Sequence, residues 1–256
     1  MRQGKILDLA QTNRQPQLSP CAACGIRHLS ICGELDSDQL SHLTTILSDV
    51  TVVPGQALFF ESDPADHLYI IRTGCARVYK LLSDGRRMIT GFLFDSDFIG
   101  LASNERYAYT AEAVTELTMC RYPRNRLEDF FEMYPSIETR MLRVATNELA
   151  AAQDQMVLLG RKTAQEKLAS FLYLLSERAV RRGDSGMVLA LPMNRTDIGD
   201  YLGLTIESVS RCFTQIRKSG AIELVTAHSV RILDKERLRD LTGSHDSVLE
   251  PHPAIL

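Results

Sequence analysis

Six cysteines are the residues of this 256-residue chain with the clearest capacity for metal chemistry. Three of them fall within twelve residues, at the spacing Cys21-x2-Cys24-x7-Cys32. A Cys-x2-Cys pair brings two thiolates to one metal centre from a short turn, which Gly25 is expected to ease. Because a cytosolic chain keeps its thiols reduced, this grouping indicates a metal site rather than a disulfide framework. The candidates for a fourth ligand are Cys75, Cys120 and Cys212.

These three distant cysteines also have an ordinary structural interpretation. A lone intracellular cysteine is most often a small buried hydrophobic residue, and we predict that role for Cys75 and Cys212. An oxidation switch at Cys212 is the alternative for that residue. The sequence around Cys120 favours neither role, so its assignment depends on the fold.

A second group of residues with chemical potential lies near the C-terminus. Asn194 is placed to cap a helix that has Asp197 in its first turn. Gly203 then provides a bend, and Thr205 can cap a second helix that runs to about Ser219. This pattern predicts a helix-turn-helix. Two strand-like runs around a short turn follow it, as in the wing of a winged helix: Ala221–Thr226 and Ser229–Asp234.

The second of these helices has two distinct faces. One is an apolar anchoring stripe formed by Ile206, Val209, Phe213 and Ile216. The other is a polar stripe formed by Glu207, Ser210, Arg211 and Thr214. Arginine can bridge guanine N7 and O6, and glutamate can accept from cytosine N4, so the polar stripe suits base reading in a major groove. The alternative is a solvated face with an i,i+4 ion pair between Glu207 and Arg211.

Composition and charge fit a soluble globular protein. The chain is 45% hydrophobic and 24% charged, and no stretch is apolar enough to predict a membrane span. The first twenty residues are polar and lack a signal-peptide core, so we predict a cytoplasmic protein. Residues 1–159 have a net charge of −5 and residues 160–256 a net charge of +2, which is a weak indication of a polyanionic partner for the second part.

The intervening sequence predicts the elements that hold these residues. Ser37–Asp49 has the pattern of a short helix. Short β-rich runs with turn residues between them predict an antiparallel barrel or roll: Val50–Val53, Leu58–Phe60, Leu68–Arg72, Ala76–Leu82, Met88–Phe94 and Leu117–Tyr122.

Helical patterns follow Pro135. One apolar stripe is predicted to continue for more than twenty residues, through Ile137, Met141, Val144, Thr146–Leu149, Met156 and Leu159. Such a helix has more apolar surface than a small β-domain needs, which favours a dimer-forming seam over a core helix. A further helix begins at the capping box Thr163–Glu166 and ends before Gly183.

These features resemble the CRP/FNR superfamily of bacterial transcription regulators over most of residues 21–245. The stretches that carry the resemblance are His67–Gly74, Gly91-Phe92, Asn194–Thr205 and Glu207–Arg211. It implies an α+β fold in which an N-terminal antiparallel β-roll, similar to cyclic-nucleotide-binding domains, is joined by a long dimerisation helix to a C-terminal winged helix-turn-helix. The predicted division is a flexible tail at 1–20, a cysteine-rich segment and β-roll sensor domain at 21–135, a dimerisation helix at 136–160, a DNA-binding domain at 161–245 and a flexible tail at 246–256.

Within this superfamily the cysteines resemble those of the oxygen-sensing FNR branch. That resemblance implies that Cys21, Cys24, Cys32 and Cys120 bind a [4Fe–4S] cluster. Seven residues separate Cys24 from Cys32, whereas the enteric type has five, and the wider spacing is similar to that of α-proteobacterial FNR-like proteins.

The implied function is that of a homodimeric regulator, active without oxygen, that binds palindromic TTGAT-like sites. We predict DNA contacts from Arg195, Thr205, Glu207, Ser210 and Arg211. RNA polymerase is the implied protein partner, and the Ser83–Arg87 turn is the candidate contact surface. No cyclic nucleotide is expected, because Gly100-Leu101 and Arg106-Tyr107 break the phosphate-binding pattern of the cyclic-nucleotide-binding branch.

Three alternatives differ in chemistry. Four cysteines also suit structural zinc, which would give a constitutive regulator, as would a site without metal. Haem would need axial ligands, for which His28, His42 and His67 are available. An iron–sulfur enzyme is disfavoured because the sequence has no nucleophile motif, no phosphate-binding glycine loop and no His-rich metal triad. We therefore predict that the protein is not an enzyme.

Overall fold

The computed structural model describes Cys21, residues 24–100, residue 102 and residues 105–243. The predicted tails at 1–20 and 246–256 lie outside the described residues. Within the described part, an antiparallel β-roll precedes a long helix and a winged helix-turn-helix, so the predicted α+β fold is confirmed. No helix in these ranges combines the length and apolar character that a membrane crossing requires.

Eight short strands form the β-roll: β1 (Ser48–Val52), β2 (Ala57–Phe59), β3 (His67–Thr73), β4 (Ala76–Leu81), β5 (Arg87–Leu93), β6 (Phe98–Ile99), β7 (Thr110–Ala113) and β8 (Leu117–Pro123). They make two antiparallel sheets, with strand orders β1-β8-β3-β6 and β2-β7-β4-β5. Ile71, Leu117 and Met119 are buried in the core of the roll. The six predicted strands are confirmed, and the sequence did not predict β6 and β7, which are short.

Two 3-10 turns and three helices surround the roll: turns at Arg27–Leu29 and Ile31–Glu34, α1 (Ser37–Ile46), α2 (Arg124–Met133) and α3 (Pro135–Arg161). The predicted first helix was too long, since Ser48–Val52 pairs with β8 instead of continuing α1. The α2 helix was not predicted. It packs Leu127 and Phe130 into the same core as α1 and the cysteines.

The α3 helix has two apolar faces. Ile137, Met141 and Val144 are buried within the chain. Leu142, Leu149 and Met156 are 67%, 61% and 70% exposed and recur every seven residues on another face. The prediction of one continuous stripe was therefore wrong, because it merged a core face with a heptad face. We call the heptad face the α3 seam, defined by Leu142, Ala145, Leu149, Ala152, Met156 and Leu159.

The C-terminal part contains α4 (Ala164–Arg181), β9 (Val188–Ala190), α5 (Arg195–Leu202), α6 (Ile206–Lys218), β10 (Ile222–Thr226), β11 (Ser229–Ile232) and α7 (Lys235–Asp240). The capping box at Thr163 and Glu166 is present as predicted. The wing is a three-stranded sheet of order β10-β11-β9, in which β9 was not predicted. Gly203 ends α5 in the left-handed conformation, at φ +63°, so the chain can turn sharply into α6.

Candidate functional site

Four cysteines line one pocket beside the β-roll, although Cys120 is 88 positions from the next of them in the sequence. Cys21, Cys32 and Cys120 are buried and Cys24 is half-buried. Cys120 reaches the pocket from β8, where it pairs with Ile70 of β3 on one side and with Asp49 of β1 on the other. The structure thus brings together the four residues that the sequence analysis named as ligands. The other residues of the pocket are Ile26, Arg27, Ser30, Ile70 and Tyr122.

Hydrogen bonds within the cysteine segment, residues 21–35, hold it in its turns. The Ser30 hydroxyl accepts from the Cys32 amide at 3.3 Å and donates to the Arg27 carbonyl at 3.2 Å. The Arg27 guanidinium donates to the Leu35 carbonyl at 2.9 Å. Gly25 lies in a turn, but it has a negative φ and open space around it, so the described geometry does not require glycine there. Gly33 is the constrained glycine, because a Cβ there would lie 3.0 Å from the Arg27 carbonyl oxygen.

Burial disfavours the free ionised form of two of the thiols, those of Cys32 and Cys120. Burial raises the pKa of Cys32, although a hydrogen bond from Ser30 opposes the rise. Burial likewise raises the pKa of Cys120 to about 11, against the nearby Arg72 cation. Thiols with raised pKa values stay protonated at neutral pH unless a positive centre favours the thiolates. A metal centre in the pocket would supply such a positive charge to Cys32 and Cys120.

The chemistry of this donor set suits a metal–sulfur centre. Among the residues that the structure describes, neither a histidine nor a carboxylate lines the pocket. The Tyr122 hydroxyl is buried there, and among the described residues it has no hydrogen-bond partner of good geometry. Cys32, Cys120 and Cys21 all act on it electrostatically. In the described ranges, no three His, Cys, Asp or Glu side chains are arranged to hold a metal ion.

The histidines considered as haem ligands lie elsewhere. His28 is exposed. The His42 ring packs edge-on against Phe130, with ring centroids 5.5 Å apart. His67 is half-buried on β3, and burial lowers its pKa. None of the three lines the cysteine pocket.

Aromatic side chains fill the interior of the roll. The rings of Phe59 and Tyr107 stack with centroids 3.5 Å apart. Gly100, which has a φ of +99°, donates its N–H to the Tyr109 hydroxyl, and its carbonyl accepts from Arg124 at 2.7 Å. The backbone groups next to the broken phosphate-binding pattern therefore have partners within the chain. That the roll binds no cyclic nucleotide stays a prediction.

The polar face of α6 is open to solvent. Glu207, Ser210 and Arg211 are exposed, and Thr205 caps the helix by accepting from the Ser208 amide at 3.2 Å. Arg211 donates to the Ser208 hydroxyl at 3.2 Å. The predicted alternative, an ion pair between Glu207 and Arg211, is absent from the described residues. The exposed side chains of Glu207, Ser210 and Arg211 are thus accessible to a partner.

The anchoring face of α6 differs from the prediction at one position. Val209, Phe213 and Ile216 are buried as expected. Ile206 is 46% exposed, because it is the first residue of the helix and precedes the packed turns. Cys212 is buried instead, which agrees with the ordinary role predicted for it, and Cys75 is also buried.

Arg195 occupies an unexpected place for a predicted DNA contact. Its guanidinium carbon lies 3.3 Å from the centroid of the Phe213 ring. One terminal nitrogen is buried and has no hydrogen-bond partner within the described part of the chain, and burial lowers the pKa of the group. Arg195 therefore packs α5 against α6 in this structure, and its contact with DNA stays a prediction.

Sequence reasoning missed Arg140, which connects the cysteine segment to α3. This arginine is only 4% exposed and donates to the Ser30 carbonyl at 3.0 Å. It also forms an ion pair with Glu34. Its position between the buried residues Ile137 and Val144 was the available signal, since a charged residue on a core face needs a partner.

Comparison with known proteins identifies the family. Two family models match: the cyclic nucleotide-binding domain over residues 49–134 and the Crp-like helix-turn-helix domain over residues 166–241. The transcriptional activatory protein AadR of Rhodopseudomonas palustris is 42% identical over 86% of this chain and 92% of its own length. The nitrogen fixation regulation protein FixK of Bradyrhizobium diazoefficiens is 38% identical over 88% of this chain and 94% of its own length.

Among solved structures, FixK2 from Bradyrhizobium japonicum is 34% identical and superposes with a TM-score of 0.74, covering 78% of this chain and 100% of that chain. These relatives are regulators and not enzymes, as the sequence predicted. Their extensive similarity and the two matched domains identify this chain as a member of the CRP/FNR family of DNA-binding transcription regulators.

Proposed function

We propose that this protein is an oxygen-responsive transcription activator of the cytoplasm that holds a [4Fe–4S] cluster on Cys21, Cys24, Cys32 and Cys120. The observation that carries the proposal is that these four residues, from two distant parts of the chain, line one pocket. When bound, such a cluster supplies oxygen-sensitive ligation that ties the cysteine segment to β8. The steps that follow, from ordering of the segment to DNA binding, are carried out by side chains of the protein.

The first step is ordering of the cysteine segment against α3. The Ser30 carbonyl and the Glu34 carboxylate both meet Arg140, whose side chain is almost fully buried. When a bound centre connects Cys32 of the segment to Cys120 of β8, the segment holds these two acceptors in one place beside Arg140. Loss of that fixation leaves a buried cation with fewer partners, which is unfavourable. Arg140 thus couples the pocket to the helix that carries the α3 seam.

The second step is dimerisation along the α3 seam. CRP/FNR regulators form homodimers, and the heptad spacing of Leu142, Leu149 and Met156 suits a coiled-coil interface. Ala152 lies on this seam and permits close approach of two helices, whereas Asp154 lies off it. Dimerisation is thereby proposed to follow the state of the cysteine pocket.

The third step is DNA binding by two α6 helices. A dimer places its recognition helices one helical turn of DNA apart, about 34–36 Å, which requires a palindromic site. We propose TTGAT-like half-sites in which Arg211 and Glu207 read the G·C pair and Ser210 an adjacent base. Thr205 fixes the start of the reading helix, and Arg195 supports it through Phe213.

RNA polymerase is the proposed partner for activation, through the turn between β4 and β5. Arg87 donates to Asp197 and Asp200 within the chain, which narrows the available surface to Ser83–Arg86. An Asp84–Arg86 ion pair shapes this turn. The proposed domains are the sensor unit at 21–135, the dimerisation helix at 136–160 and the DNA-binding unit at 161–245.

Metal analysis of anaerobically purified protein tests the proposal. We expect a brown protein with a broad band near ~400 nm and about four irons per chain, which bleaches in air as binding to a TTGAT palindrome is lost. Cys120→Ser should abolish the iron. Cys75→Ser, which changes another buried cysteine of the roll, should keep it. A colourless protein with stoichiometric zinc, or with no metal, would instead indicate a regulator that is constitutive or answers another signal.

A further inference from the structure

An ion-pair cluster joins the β-roll to the helix-turn-helix of the same chain. Arg77 of β4 donates to both carboxylate oxygens of Asp197 on α5, at 2.9 and 3.1 Å. Arg87 of β5 donates to Asp197 at 2.6 Å and to Asp200 at 2.8 and 3.0 Å. Glu112 of β7 pairs with Arg77 from the other side. We call these five residues the roll–helix cluster.

The cluster is shielded from solvent at its centre. The Asp197 side chain is 2% exposed, and those of Arg77 and Glu112 are 16% and 13% exposed. Arg87 and Asp200 lie nearer the edge, at 23% and 27%. Charges in such a place attract each other more strongly than charges in water and tolerate few alternative arrangements.

Apolar contacts surround the cluster without fixing a direction. Phe92 of β5 meets Tyr201 of α5, with ring centroids 5.4 Å apart. Phe171 of α4 packs on the same Tyr201 ring at 5.4 Å. Contacts of this kind hold α5 near the roll but allow small rotations. The charged hydrogen bonds of Arg77 and Arg87, by contrast, demand one orientation of Asp197 and Asp200.

This docking leaves the reading face free. Glu207, Ser210 and Arg211 are all exposed while α5 is held by the roll. The turn between the helices packs closely on α5, since the carbonyl oxygen of Leu204 lies only 2.6 Å from where a Cβ at Gly199 would be. The α6 helix itself is tied to α5 by the contact of Arg195 with the Phe213 ring. Fixing α5 therefore fixes α6 without covering it.

We propose that Arg77 and Arg87 are positioning residues for operator recognition, which set the angle of the helix-turn-helix on the β-roll and so the spacing of half-sites that the dimer accepts. Each reading helix is connected to the dimer axis only through its own chain, by α3 and the roll. The side chain of Gln155 on α3 makes a second contact with α5, since it donates to the Tyr201 carbonyl at 3.1 Å. A dimer with this cluster intact should distinguish operators that differ by one base pair in spacing.

The test measures affinity against spacing. Duplexes with inverted TTGAT half-sites are compared, one set with centres about 10.5 base pairs apart and others with one base pair added or removed. Protein purified without oxygen should prefer one spacing strongly. Arg87→Gln should weaken binding to that duplex about tenfold and flatten the preference, while iron content and dimer dissociation constant stay unchanged. Asp200→Asn should do the same to a smaller extent.

A double variant and a control make the outcome decisive. In Arg87→Gln/Asp200→Asn the second change should add little, because the two residues act through one contact. Lys80→Gln, which breaks the exposed Lys80–Glu61 pair on the same hairpin, should leave spacing preference intact. Should Arg87→Gln unfold, Arg87→Lys tests the same contact with the charge retained. Unchanged preference in a folded Arg87 variant would overturn the proposal, as would tighter binding, which would mean that the cluster restrains the helix-turn-helix from DNA.

Discussion

The cysteine segment and the helix-turn-helix are attached to the β-roll in contrasting ways. The segment has two 3-10 turns, and Ser30, Arg27 and Arg140 provide much of its hydrogen bonding. The helix-turn-helix shares a continuous apolar core with the roll and adds a shielded ion-pair cluster at Asp197. One region buries only a few apolar side chains, such as Ile31 and Leu35, so we expect the proposed metal centre to add substantially to its order. The other is held firmly enough to transmit that state as a change in position.

Asp197→Asn should have the largest effect on stability, because it removes the most buried charge of the ion-pair cluster that joins the helix-turn-helix to the roll. The side chain keeps its size, but Arg77 and Arg87 lose their common partner. We expect the free energy of unfolding to fall by about 3 kcal/mol, measured by urea denaturation followed by circular dichroism. Glu61→Gln, in the exposed pair with Lys80, should cost at most about 1 kcal/mol. Equal losses of unfolding free energy in the two variants would show that the buried cluster holds the helix-turn-helix no more firmly than an exposed ion pair would.

Leu149→Glu probes the helix that both regions share. A carboxylate in the middle of the α3 seam would face its copy in the dimer, so both burial and repulsion oppose association. We expect the dimer dissociation constant to rise at least about a hundredfold, or about 2.8 kcal/mol, in sedimentation equilibrium. Ala151→Glu introduces the same charge off the seam and should change association little. A dimer that tolerates Leu149→Glu would place the interface elsewhere.

Arg140→Gln tests how the cysteine segment is attached to α3. It removes a charged contact between α3 and the cysteine segment, worth about 1.5–3 kcal/mol. The dimer of the anaerobic protein should weaken about tenfold, while the air-exposed protein changes little, so the two forms become alike. Arg143→Gln is the matched control, since Arg143 is 64% exposed and 3.6 Å from Glu34. If the anaerobic and air-exposed forms still differ as in the wild type, Arg140 does not couple the pocket to α3.

Tyr122→Phe should have the smallest effect and should be confined to the cysteine pocket. The Tyr122 hydroxyl lies among the proposed ligands, and a hydrogen bond from it to the sulfurs of a bound cluster would raise the reduction potential, so its loss should favour oxidation. We expect the visible band to disappear in air about fivefold faster, as one hydrogen bond contributes about 1 kcal/mol. Tyr109→Phe removes a buried hydroxyl of the roll that bonds Gly100 and should leave the rate unchanged. A slower rate in Tyr122→Phe would contradict this role.

The sequence predicts local features of this molecule better than its assembly. Capping at Thr163, Asn194 and Thr205 depends on residues within one turn, and all three caps are present. The position of Cys120 depends instead on the pairing of β8 with β3, which no local pattern specifies, so only the family resemblance placed it with the other cysteines.

Errors arose where two constraints share one stretch of sequence. Along α3, residues that face the roll and residues of the seam interleave, so their pattern looked like a single stripe. Ile206 was misplaced because a helix's first turn can project beyond the core it belongs to. The sequence did not indicate that Arg77 and Arg87 contact Asp197, since residues about 110–120 positions apart meet only in the folded chain.

The continuous core between roll and helix-turn-helix restricts how such regulators can be recombined. Cys75, Tyr79 and Phe92 of the roll pack in one cluster with Phe171, Leu172 and Tyr201 of the C-terminal part. A chimera that joins this sensor to the reading unit of another regulator at the end of α3 would cut through that cluster. The graft would need acidic residues at positions 197 and 200, or would have to bring its own β4–β5 hairpin. The buried face of α6, with Val209, Phe213 and Ile216, belongs to the same cluster. Exchange of only the exposed α6 side chains therefore leaves the cluster untouched and is the simpler route to a new operator.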